Sequence, residues 1–112
     1  MLALRGPGRS GDALAIAASF LAANRVYHDR IGGQPFVVLT DASGANRVYE
    51  SASHRFASWD GDSTARDGAG RNWKMTEDSL SGPGGAVLRR LPAHRAFWFG
   101  WYAAYPGTRL VK

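Results

Sequence analysis

Three histidines, His28, His54 and His94, are the side chains of this chain best suited to proton transfer or metal ligation near neutral pH. No two of them fall at the i,i+4 spacing that puts a pair of ligands on one helix face, so a shared site would need the fold to gather them, with Asp29 as the nearest acid. No metal site is assigned from spacing alone. His94 stands out, because Arg95 follows it and Trp98 lies one helical turn further on. Four tryptophans exceed what a core of this size needs, and tryptophan is rarely buried completely. His94, Trp98, Trp73 and Arg95 are therefore the candidate ligand-binding residues, for a small-molecule or anionic ligand.

Other chemistry finds little support. There is no cysteine, which removes disulfides, thiolate metal sites and thiol nucleophiles. No Gly-x-Ser-x-Gly elbow and no Gly-Lys-Ser/Thr phosphate loop occurs. The carboxylate pairs Asp60/Asp62 and Glu77/Asp78 lie in polar turn-like stretches. Counting from Asp60 puts Ala65 and Arg71 where a helix-loop-helix calcium loop needs glycine and glutamate. Gly6-Pro7-Gly8-Arg9-Ser10-Gly11 has the letters of a dinucleotide-binding loop, but Pro7 removes a backbone donor and no strand-helix-strand repeat follows. No catalytic residue and no cofactor are assigned, and a binding or structural module is favoured over an enzyme. Two alternatives are carried forward: an enzyme or redox accessory with a histidine-centred site, and polyanion or nucleic-acid binding through the C-terminal third.

The element expected to position the candidate pocket is the aromatic stretch Arg89–Thr108. Pro92 suits a first helical turn and Pro106-Gly107 a stop, while Phe97, Trp101 and Tyr105 follow one another at i+4 beside a second row of Trp98 and Tyr102. This predicts a helix over about 92–105, although Phe97, Phe99 and Trp101 also alternate as a strand would. Ahead of it, Pro35–Thr40 and Arg47–Glu50 read as a hairpin around the Asp41–Gly44 loop, and Arg55–Trp59, Asn72–Met75 and Ala86–Arg90 as further strands. Ala13–Ala23 fits either a short helix or a strand at Leu14–Ala17 followed by one or two helical turns. The expected class is α+β, with short antiparallel strands forming a curved sheet packed by the C-terminal aromatic helix and a shorter N-terminal helix.

With 112 residues, 45% hydrophobic and 21% charged, the chain suits one domain over 1–112, with 1–11 as a flexible lead-in. Its longest N-terminal apolar run is too short to span a bilayer, and Asp12 with the Gly/Pro-rich lead argues against an export signal. The net charge of +5 is unevenly placed. Residues 41–80 hold seven carboxylates, whereas 81–112 hold none and carry Arg89, Arg90, Arg95, Arg109 and Lys112. Those cations are scattered, so pairing with the acidic middle third is preferred to nucleic-acid binding.

Asp67-x-x-Gly70-Arg71-x-Trp73, then Leu88 through Trp101, then Tyr105-Pro106-Gly107-Thr108, together with His28-Asp29-x-Ile31-Gly32-Gly33-x-Pro35 upstream, resemble the prokaryotic proteins grouped as domain of unknown function 3179. The resemblance covers roughly residues 13–111 and is strongest over 67–111. It implies a strand-rich α+β domain with no assigned activity and, from longer exported relatives, an extracytoplasmic setting. Some relatives carry a Cys-Pro-Leu-Cys segment where this chain has Thr40-Asp41-Ala42-Ser43, so a thiol-based role is not implied here.

Overall fold

Phe36-Val37-Val38-Leu39 forms the middle of the molecule, because its side chains are buried on both faces of the strand. In the computed structural model the described residues are 1–6, 13–95, 101, 104, 105 and 107–112. β4 (Gln34–Thr40) pairs on one side with β3 (Val26–Ile31) and on the other with β5 (Asn46–Glu50), giving a three-stranded antiparallel sheet. Gly32 and Gly33, at φ 55 and 79, make the two-residue turn that sets Ile31 opposite Gln34. Positive φ at both central positions belongs to the primed hairpin turns that suit strand twist.

Alternation along β4 then assigns a core to each face. Phe36 and Val38 pack with Val48 against Leu2, Leu4, Leu14, Ile16 and Leu21. Val37 and Leu39 pack with Tyr49 against Phe56, Ala65, Trp73, Leu80 and Leu88. The first core is closed by a four-stranded sheet in the order β11-β1-β2-β12, made of β1 (Leu2–Arg5), β2 (Ala13–Ile16), β11 (His94–Arg95) and β12 (Arg109–Val111), the last running parallel to β2. The second is closed by a five-stranded meander of β6 (Phe56–Trp59), β7 (Thr64–Asp67), β8 (Asn72–Met75), β9 (Ser79–Ser81) and β10 (Val87–Arg89). The molecule is thus three stacked sheets, the hairpin layer in the middle.

Ala13-Leu14-Ala15-Ile16 shows how period decides between helix and strand. Its large residues face the hairpin layer and its alanines face away, a strict period of two that overrides the helix preference of alanine. α1 (Ala18–Ala23) follows after extended Ala17 and buries Leu21. Of the two expectations for this segment, strand followed by short helix is the one observed. The lead-in expected over 1–11 holds the buried strand β1, and its residues 7–11 lie outside the described residues.

The expected α+β class is corrected: the chain is dominated by strands in three sheets rather than one curved sheet under a helix. A helix does not begin at Pro92. His94 and Arg95 are extended, because they pair with Ala3 and Leu2 at the edge of the four-stranded sheet. Pro92 falls between Leu91, whose N–H donates to the Val48 carbonyl, and that strand, where its missing N–H costs nothing. Residues 96–100, 102 and 103 of the expected helix lie outside the described residues. Trp101 and Ala104 are helical, with the Tyr105 N–H donating to the Trp101 carbonyl. Trp101 lies buried on the alanine face of the four-stranded sheet, over Ala3, Ala13 and Ala15.

Candidate functional site

Where β1 ends beside β11, the four-stranded sheet leaves a half-enclosed cavity of about 390 Å³. Buried Leu4 and Ile31, with half-buried Leu91, give it an apolar floor, and Arg5, Gln34 and His94 give it a polar rim with no carboxylate among its lining residues. Aromatic rings hold both basic rim residues. The Arg5 guanidinium lies 4.9 Å from the centre of the Tyr105 ring, and the His94 imidazole meets Trp101 edge-on at 5.3 Å. The Trp101 and Tyr105 rings lie against each other in turn, tilted by 43° with centres 4.4 Å apart. Ala3 and His94 line the cavity and also touch Trp101, so the indole backs the cavity wall. Among the described residues the buried Trp101 indole N–H has no hydrogen-bond partner, a state that costs roughly 1–3 kcal/mol in general.

Of the candidate residues that are described, only His94 lines this cavity. Arg95 shares β11 with it, but its guanidinium donates to the Gly44 carbonyl at 3.0 Å. Trp98 lies outside the described residues. Trp73 sits in the opposite outer sheet, buried at 1% exposure in the second core, beyond the hairpin layer.

Trp73 anchors a unit of its own. Asp67 Oδ1 accepts the Ala69 and Arg71 N–H groups, while Oδ2 accepts the Trp73 indole N–H at 3.0 Å and the Arg71 Nε at 3.2 Å. These donors, the indole first, hold the Asp67 carboxyl down at a pKa of about 2. A Cβ on Gly82 would come within 2.6 Å of that indole ring, so the ring needs glycine there. The Asp67, Gly70, Arg71 and Trp73 spacing is therefore structural: it folds the β7–β8 turn and fixes one ring.

The histidines divide. His28 and His54 line one polar cavity of about 380 Å³ with Asp29, Arg30, Pro35, Ser51, Ala52, Ser53 and Arg55, whereas His94 belongs to the apolar one. His28 Nε2 accepts the Phe56 N–H at 2.9 Å, which places the proton of its neutral ring on Nδ1. Burial, then the charge of Arg55, lowers the His28 pKa. Asp29 is fully engaged: it takes hydrogen bonds from Tyr27, Arg109 and the Arg30 N–H, which hold its pKa low against burial. Among the described residues no three His, Asp or Glu side chains come together as a metal site.

The basic C-terminal residues are dispersed and exposed. Arg109 pairs with Asp29 at 3.0 Å, and Arg90 donates to the Glu77 carbonyl. No helix among the described residues is long and apolar enough to cross a membrane.

A chain of three short-stranded sheets, with small cavities beside β1 and β11 and beside β3, and a tryptophan fixed by Asp67, is the setting in which the sequence comparisons fall. The chain belongs to the family described as protein of unknown function (DUF3179), whose profile matches residues 4–108. No curated protein and no solved structure matches it.

Sequence reasoning missed Arg5, Gln34 and Leu91 at the apolar cavity. They meet through β11, a two-residue strand pairing across some ninety positions of chain, and no local pattern announces such a contact.

Proposed function

We propose that the domain is a non-enzymatic binding module that takes a small amphipathic carboxylate, an aryl or short acyl acid, in the cavity beside His94. The observation that carries this is the pairing of an apolar floor with a rim whose ionisable groups, Arg5 and His94, are both basic. Its volume is within the range of small-ligand sites, roughly 300–1,000 Å³, which are mostly apolar with a few oriented polar groups. A carboxylate would meet Arg5 as a bidentate acceptor, with His94 and the Gln34 amide beside it, while the hydrocarbon part displaces water from Leu4, Ile31 and Leu91. Hydrogen bonds to charged groups contribute about 1.5–3 kcal/mol, so losing one weakens binding by about ten- to a hundredfold.

Calorimetric titration of the full chain with aryl and short acyl carboxylates, each beside its neutral amide, tests this. The acids are expected to bind, their amides at least tenfold more weakly, and Arg5→Gln to abolish the difference. Equal affinity for acid and amide, or no binding of any acid, would remove the proposal.

The histidine-centred alternative gains the proximity of His28 and His54 but little else. Among the described residues no hydrogen bond joins Ser51 or Ser53 to either imidazole, and Asp29 is already held by three donors.

A further inference from the structure

The geometry points to a second, separate site: the polar cavity between β3 and the β5–β6 connection binds a phosphate group. His28, Arg30, Ser51, Ser53, His54 and Arg55 bring four nitrogen-bearing side chains and two hydroxyls to one cavity of about 380 Å³. Its single carboxylate, Asp29, is paired with the Arg109 guanidinium at 3.0 Å and accepts the Tyr27 hydroxyl, so its charge is offset. Neither Arg30 nor Arg55 has an ion-pair partner among the described residues. The cavity is therefore positive without compensation from its own walls, and a doubly charged tetrahedral anion matches it better than a single carboxylate.

Two structural details support a built site over a chance gathering of surface charge. Ala52, in the cavity wall, stands at φ 48, the only positive φ at a non-glycine among the described residues. Such conformations cost about 1–3 kcal/mol and persist only where the surroundings enforce them, often at ligand clamps. His28 and His54 are also held from behind: His28 accepts the Phe56 N–H and stacks on the Phe56 ring, and His54 meets buried Trp73 edge-on at 4.8 Å. Both imidazoles are thereby oriented before any ligand arrives.

Histidine NMR on the full chain tests the site, with inorganic phosphate, glycerol phosphate and acetate as probes. Phosphate is expected to move the His28 and His54 ring resonances saturably, to raise the His28 pKa, and to bind at least tenfold more weakly in Arg55→Gln. The Arg55 side chain is exposed and makes no hydrogen bond or ion pair among the described residues, so circular dichroism of that variant should match the parent. His94→Ala should leave phosphate binding unchanged, which separates this site from the carboxylate cavity. Tighter binding of glycerol phosphate than of inorganic phosphate identifies a phosphate ester as the ligand; the reverse identifies the free ion. No saturable shift with either, acetate binding as well as phosphate, or an Arg55→Gln affinity equal to the parent's would overturn the assignment.

Discussion

Asp67 shows what a single side chain contributes at the residue scale. Its carboxylate holds a buried indole N–H and the N–H groups of its own turn, and its pKa falls from 3.8 to about 2 in the folded chain. A depressed carboxylate contributes stability that is complete above its unfolded pKa and lost as the pH falls through its folded one. Unfolding midpoints in urea should therefore decline between about pH 4 and pH 2, and the decline should be shallower in Asp67→Asn, which is less stable at pH 7. A parallel pH dependence in both proteins would show that Asp67 does not govern the acid transition. His28 runs in the same direction at milder pH. Its lowered pKa means that stability rises with pH up to about 6.5, so acidification below that point starts to weaken the contact with Phe56.

Gly82 supplies a second test at this scale, because a Cβ there meets the Trp73 ring at 2.6 Å. Gly82→Ala should destabilise by about 1–3 kcal/mol, the usual range for overpacking, with a visibly lower thermal midpoint. An unchanged midpoint would mean that the indole can shift. Little of this was legible beforehand. The Asp67–Trp73 spacing marks a family, but nothing in one sequence says that the acid faces the indole.

Elements were legible where both faces of a strand are buried or a turn is sharply specified. Phe36–Leu39 reads as a strand because it is apolar throughout, a consequence of lying between two cores, and the hairpin follows from its turns. Thr64–Asp67 and Ser79–Ser81 were not anticipated as strands. They belong to an outer sheet with one wet face, and Leu80 is the single buried residue of its strand. The aromatic stretch misled for a different reason. A Pro92 start and rings at i+4 satisfy helix rules, yet His94 and Arg95 are extended by pairing with β1, a partner far away in sequence. The alternation Ala13-Leu14-Ala15-Ile16 makes its own prediction. Ala15→Leu would push a branched side chain against Trp101 and should destabilise by about 1–3 kcal/mol or more, read as a drop in the urea midpoint. If Ala15→Leu is neutral, Trp101 is not packed on that face.

For the whole molecule, the stacking of three sheets places the two cavities at different edges, one beside β1 and β11 and one beside β3 and the β5–β6 connection. Neither arrangement follows from local pattern, since each gathers residues from three or more separated segments. The candidate pocket of His94, Arg95, Trp98 and Trp73 illustrates this: the hairpin layer lies between His94 and Trp73. Sequence alone placed His94 among basic and aromatic neighbours, while the apolar floor and Arg5 came only with the fold. Amide-resolved NMR of the full chain titrated with a short aryl carboxylate is the most direct measurement of the proposed function. Saturable shifts concentrated at Ala3–Gly6, Ile31–Gln34 and Leu91–His94, absent with the matching amide, are predicted; no saturable shifts, or shifts gathered on the five-stranded sheet instead, would contradict it.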